Sequence, residues 1–311
     1  MPRVLEPGQI EAFAQQAIRR LRTPDRMHVF SRRAARLREL AGEDAIGCAI
    51  GDYLRLMASV ADAQQAALVA FEAKAPEAAQ IAGARAHGMP PVHAATWPRE
   101  NHWRGVLTQL CSSVARLSNL PERVHAVCER LRLLSPEQIE TEADALLAGD
   151  SASVDVASAP LLMAALQVYW VDLASRFEVH GIAALDTPGA CPLCGTPPVA
   201  SVVRTDPGSQ GYRYLHCPLC ATEWHMVRVT CSHCLGTKGI DYRSIEGGPQ
   251  AIRAECCDAC RTYRKILYQE QDNAVEPVAD DLASLALDLL VSEAGYRRAS
   301  GNPLLWAPPN V

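Results

Sequence analysis

Four cysteine pairs crowd into residues 191–260: Cys191-Pro-Leu-Cys194, Cys217-Pro-Leu-Cys220, Cys231-Ser-His-Cys234 and Cys257-Asp-Ala-Cys260. Two residues between thiols is the spacing of a metal knuckle, a tight turn that aims both sulfurs at one ion. One ion takes four thiolates in a tetrahedron, so the four pairs predict two metal ions per chain. A closed four-sulfur site has no open position for substrate or an activated water, which argues against metal-assisted hydrolysis. Structural support or one-electron transfer remains. Zinc and a rubredoxin-like mononuclear iron both suit such a donor set.

A repeat indicates which pairs go together. Shifting the first unit by forty residues lays all four of its cysteines on the second, with Arg213 on Arg253 and Thr222 on Thr262. A duplicated knuckle–hairpin–knuckle explains that register. It pairs Cys191, Cys194, Cys217 and Cys220 at one site, and Cys231, Cys234, Cys257 and Cys260 at the other; an interleaved arrangement stays open. Cys256 lacks the spacing and reads as a bystander. Gly195 and Gly236 follow the first knuckle of each unit, where a turn needs φ > 0. Cys48, Cys111 and Cys128 are isolated in helical segments and read as buried structural thiols.

Around the cysteines the 311-residue chain, 49% hydrophobic and 5% aromatic, favours helix. The expected architecture is a mainly α N-terminal domain (1–186), a small β-rich tandem rubredoxin-like or zinc-ribbon metal domain (187–270), and a C-terminal helix and tail (271–311). Helical spacing is expected from Ile10 to Leu21, Val29 to Leu40, Ala45 to Ala73, Trp103 to Leu117, Pro121 to Leu134, Pro136 to Ala148 and Ala159 to Phe177, with a loop from His87 to Pro98. Val199–Arg204, Gly211–His216 and Glu223–Val229 read as strands. One helix is expected after Pro277, with Asp280 and Asp281 at its start. Each metal site should hold its own hairpin, so losing Cys191 is expected to loosen 191–220 and spare the helices.

The N-terminus has no apolar run of signal-peptide type, and the most apolar stretch, Ala159–Ala174, is broken by Asp172 and too short to span a bilayer. A cytoplasmic protein without membrane insertion is the expectation, and disulfides are disfavoured there. The net charge of -5 is mild. In residues 187–270 nine Lys/Arg face seven Asp/Glu, and two tetrathiolate ions would leave the segment slightly negative. That weighs against nucleic acid. No GxSxG, P-loop, GxGxxG or HExxH motif is present, so no catalytic residue is expected. Trp224 is expected to pack the small core while His216, His225 and His233 are solvated. His93, Trp97, His102 and Trp103, around the Pro-rich loop, are expected to be exposed or capping.

The run from Gly211 through Cys217-Pro-Leu-Cys-Ala-Thr-Glu-Trp-His225, with Cys191-Pro-Leu-Cys-Gly195 before it and the Cys231 and Cys257 pairs after it, resembles the FdhE family of formate dehydrogenase accessory proteins. The closing Asp280-Asp281-Leu-Ala through Asn302-Pro303 is similar too. The resemblance implies a non-enzymatic role: assembly and maturation of respiratory formate dehydrogenase in the cytoplasm, through binding its catalytic, molybdenum-containing subunit before export. It also implies rubredoxin-like iron in preference to zinc at the eight paired cysteines. Ala221 and Arg261 depart from rubredoxin, whose second knuckle usually has Gly there. The alternatives are a rubredoxin-like one-electron carrier, which hardly needs so large a helical domain, and a zinc-ribbon nucleic-acid-binding protein.

Overall fold

A helix that is apolar all round must lie in a core, and Ala159–Ser175 (α7) does so in the computed structural model, which describes residues 19–42, 51–118, 120–150, 153–178, 182 and 188–305. Around it stand Val29–Leu40 (α1), Gly51–Ala70 (α2), Ala78–Ala86 (α3), Trp103–Ala115 (α4), Glu122–Leu133 (α5) and Pro136–Ala148 (α6). On α2, Leu54, Met57, Ala58, Ala61 and Leu68 recur every third or fourth residue and face inward. Polar groups that enter this core are largely paired, although Gln64 Oε1 has no partner among the described residues. Gln64 Nε2 donates to Ala164 O and Gln167 Oε1, both at 2.8 Å. Asp172, which interrupts the apolar run of α7, accepts from Ala73 N at 2.8 Å and Arg26 Nε at 3.1 Å.

The strands are Leu21–Arg22 (β1), Ala200–Val203 (β2), Arg213–His216 (β3), Glu223–His225 (β4), Ile240–Arg243 (β5), Ile252–Cys257 (β6), Thr262–Tyr268 (β7) and Arg297–Arg298 (β8). They form one sheet in the order β1-β4-β3-β2-β7-β6-β5, with β8 beside β7. The forty-residue shift carries β2, β3 and β4 onto β5, β6 and β7. The two units join head to tail: β2 of the first runs parallel to β7 of the second, Ser201 opposite Ile266. Arg213 crosses this joint and pairs with Glu255 at 2.7 Å, both buried.

Several expectations change. Leu21 was expected on a helix; instead Leu21 and Arg22 pair with Trp224 and Glu223 as an edge strand, because the sheet supplies an unpaired edge that a short isolated helical segment cannot match. The rest of the expected helix from Ile10, like the start of the one from Ala45, lies outside the described residues. Helix α3 was unforeseen; it buries no residue, so no apolar stripe announces it, and a Glu77–Gln80 capping box starts it. The helix expected after Pro277 is broken at Ser284 into Pro277–Ala283 (α8) and Leu285–Glu293 (α9).

Asp280 and Asp281 do more than complement a helix dipole. Glu276 caps α8, accepting from Val278 N and Ala279 N at 3.1 and 2.7 Å. Asp280 instead receives Arg36 of α1 at 2.6 Å. Asp281 is enclosed with Lys265 at 3.5 Å, Arg298 and Asn302. Arg33, also on α1 and buried, reaches Glu276 at 3.1 Å. These ion pairs clasp α8 between the helical bundle and the sheet, and one continuous apolar core runs through all three. Among the described residues no helix is long and apolar enough to cross a membrane.

Candidate metal centres

All four CxxC turns share one backbone frame. The residue after the second cysteine donates its N–H to the carbonyl of the first: Gly195 to Cys191 at 2.8 Å, Ala221 to Cys217 at 3.1 Å, Leu235 to Cys231 at 3.0 Å and Arg261 to Cys257 at 2.8 Å. Closing that ring puts each of these residues at left-handed φ: 78°, 55°, 62° and 55°. Gly195 therefore has the expected role. Gly236 does not, because Leu235 takes the positive φ. A Cβ at Gly236 would lie 3.4 Å from Cys234 Sγ, a close approach rather than a turn requirement. Ala221 and Arg261 accept the conformation that rubredoxins give to glycine.

The turns bring the sulfurs together in two groups, Cys191, Cys194, Cys217 and Cys220, and Cys231, Cys234, Cys257 and Cys260, each within 4.8 Å of one another. The interleaved arrangement is not the one adopted. In the first cluster Cys191 lies 3.5 Å from Cys220, and Cys194 lies 3.4 and 3.6 Å from Cys217 and Cys220. In the second, Cys231–Cys260 and Cys234–Cys257 are both 3.7 Å apart. A tetrahedron with metal–sulfur bonds of ~2.3 Å has edges of about 3.8 Å, so both arrays could hold a metal ion with little adjustment. Cys256 stands apart, its sulfur turned towards Ala254 O at 3.8 Å.

Hydroxyls support the sulfurs in a pattern that sequence reading passed over. A threonine two residues after the second cysteine of a pair approaches its sulfur in three of the four turns: Thr196 to Cys194 at 3.3 Å, Thr222 to Cys220 at 3.2 Å and Thr262 to Cys260 at 3.0 Å. Such contacts favour thiolate over thiol. In the first cluster, burial pushes Cys191 and Cys217 well above the usual thiol range, whereas Cys194 is driven well below it because hydrogen bonds from the other three sulfurs and Thr196 outweigh its burial. In the second, burial raises Cys257 to about 12, while Thr262 and the neighbouring sulfurs bring Cys260 down to about 7 against burial.

The clusters differ in setting. All four sulfurs of the first are fully buried, held between the sheet and the helical bundle. Val92 N and Ala94 N of the Pro-rich loop donate to Leu193 O and Cys194 O at 3.1 and 2.8 Å. Gln167 of α7 donates to Pro218 O at 2.7 Å. In the second cluster Cys234 is exposed and Cys260 half-buried.

Gly195 sits under this clamp: a Cβ there would meet His93 Cδ2 at 2.8 Å, whereas one at Gly149, also left-handed at φ 75°, meets nothing within 4 Å. Gly149→Ala is expected to cost ~1 kcal/mol, the strain of the backbone alone. Gly195→Ala is expected to cost roughly 3 kcal/mol, because overpacking adds to it. Urea unfolding of the two variants checks this; equal costs would refute the clamp.

The remaining candidates sort by burial. Trp224 packs in the core and donates to Pro188 O at 2.7 Å. His216, expected in solvent, is instead buried with Nδ1 3.1 Å from Glu223 Oε1; Arg204 and His216 hold that carboxylate ionised against the effect of burial. His225 is half-buried, edge-on to Tyr212 and Tyr214, and His233 is exposed. Trp103, expected at the surface, is fully buried and donates to Glu140 Oε1 at 2.9 Å. Trp97 donates to Tyr169 OH at 3.1 Å, and His102 stacks on Phe71. Cys111 and Cys128 are buried; Cys48 lies outside the described residues.

Three family models match consecutive stretches: FdhE, N-terminal, over residues 18–186; FdhE, central domain, over 190–228; and FdhE, C-terminal domain, over 229–305. The chain is 42% identical to a protein FdhE homolog of Cronobacter sakazakii over 310 residues, covering 98% of this chain and 97% of that one. It is 43% identical to protein FdhE of Salmonella dublin over 305 residues, covering 97% and 96%. The crystal structure of the FdhE protein from Pseudomonas aeruginosa superposes with a TM-score of 0.82 at 38% identity, covering 92% of this chain and 98% of that one.

Proposed function

The chain belongs to the FdhE family, and from that premise we propose that it is an accessory protein for the maturation of respiratory formate dehydrogenase, binding the catalytic subunit in the cytoplasm before export. The observation that carries this reading is the match to the family along the whole chain, helical bundle included. The bundle shares one core with the cysteine sheet, an arrangement suited to presenting a broad, rigid docking surface. Neither cysteine cluster offers a reaction site, since each array is closed by four sulfurs.

In this reading the eight paired cysteines are the ligands of two ions, and residues 187–270 are the ion-bearing unit. Iron in the rubredoxin manner is the preferred occupant, and zinc fits the same donors. A one-electron carrier would use the same ligands; the exposure of Cys234 favours it as a second reading.

Affinity capture from cytoplasm, with bound proteins identified by mass, separates the two. The expected result is co-purification of a formate dehydrogenase catalytic subunit, not of small electron-transfer proteins. A strain lacking the gene should make the dehydrogenase polypeptide yet oxidise little formate. Full formate oxidation in that strain would remove the assembly role.

A further inference from the structure

We propose that the outer cluster, Cys231, Cys234, Cys257 and Cys260, is an exchange site that takes up and releases its ion by ligand replacement, while the inner cluster holds its ion for the life of the fold. The inference rests on the metal reading above. Replacing a ligand at a closed site needs an incoming donor atom within bonding reach. All four inner sulfurs are fully buried beneath α7 and the Pro-rich loop. The nearby cavity of about 560 Å³ is lined by Ala221 and His216 but by none of these cysteines. Access therefore requires opening the core. At the outer cluster Cys234 is exposed and Cys260 half-exposed, so a partner's thiolate or imidazole can approach without unfolding anything.

Two further observations make the Cys231–Cys234 knuckle the weak end of that cluster. The threonine hydroxyl that lies 3.3 Å from Cys194 has no counterpart at the equivalent position, which is Gly236. The segment entering this turn also holds Val229, exposed and at φ 56°, a left-handed residue beyond the one that each of the four turns carries. Left-handed backbone at branched residues is strained and is relieved when the turn opens. In the exchange, the incoming donor atom forms its bond as a cysteine sulfur gives up its own. That sulfur keeps its electron pair and takes a proton from water; no electron is transferred.

The test uses the full chain loaded with zinc as a redox-inert probe and challenged with 4-(2-pyridylazo)resorcinol, followed by absorbance. Release of one equivalent about a hundredfold faster than the other is expected, since core opening is far rarer than surface access. Alkylation with iodoacetamide after the fast phase, mapped by mass spectrometry, should label Cys231, Cys234, Cys257 and Cys260 and spare the inner four. Cys234→Ser should abolish the fast phase alone. Two ions leaving at one rate, or inner cysteines labelled first, would overturn the inference while leaving the two-ion reading intact. A chain binding fewer than two zinc ions overturns both.

Discussion

Cys194→Ser is expected to abolish cooperative folding of most of the chain, whereas Cys234→Ser should leave the helical signal and the main melting transition nearly unchanged. The asymmetry follows from where each sulfur sits. Binding energy at a structural tetrathiolate site is folding energy, roughly 10 kcal/mol or more for zinc, comparable to the whole stability of a typical protein at about 5–15 kcal/mol. Cys194 lies where the Pro-rich loop and α7 meet the sheet, its own carbonyl accepting from Ala94 N. Losing its ion leaves three buried thiols and removes the anchor for Val92, Ala94 and Gln167 together. This replaces the earlier expectation that losing an inner cysteine spares the helices, since bundle and sheet share one core. Thermal unfolding by circular dichroism decides it: a Cys194→Ser protein melting within a few degrees of the parent would refute the anchoring role.

Glu276→Ala should be the most damaging change outside the cysteines, at about 4 kcal/mol. One carboxylate has two tasks here: it pairs with the buried Arg33 at 3.1 Å and caps α8 through two backbone N–H groups. Stranding a buried charge costs ~3–5 kcal/mol, and a lost cap about 1. Gln167 Oε1, 3.4 Å from Arg33, offers only partial compensation. Glu276→Gln retains the cap's acceptor and should fall between. Urea unfolding would refute this account if Glu276→Ala lost less than about 1 kcal/mol, the worth of the cap alone.

Fixed spacing made the cysteine grouping readable before any coordinates, because a CxxC turn is a local event and the forty-residue register repeats it. The helices with a strong apolar stripe were readable for the same reason; Pro136–Ala148 begins on a serine capping box and a proline and ends on a left-handed glycine. What escaped was decided at a distance. Leu21 becomes a strand only because Trp224, some two hundred residues later, presents an unpaired edge. Asp281 looks like a helix-start carboxylate until Lys265 and Arg298 are brought against it. The three threonines that face sulfur were visible as residues, and Thr222 and Thr262 even as a repeat, but their hydroxyl contacts depend on the closed turn. Which cluster lies inside and which outside depends wholly on where the bundle docks.

The head-to-tail joint between the two units has a consequence for assembly. A two-fold joint would consume matching faces and close. A translational joint is heterologous, so each end of the pair repeats an unsatisfied surface, and in principle the sheet could grow indefinitely. Here both ends are terminated. On one flank β1 occupies β4, as a terminal repeat caps a solenoid. On the other, β5 occupies the position equivalent to β2, the strand to which β7 adds in the first unit. It is short, and Asp241 turns its carboxylate back onto Tyr242 N at 2.9 Å, placing a negative charge and a filled donor where a third strand would dock. A charged, blunted edge of this kind discourages chain-to-chain sheet extension, so the duplication stays within a single molecule instead of seeding a fibre.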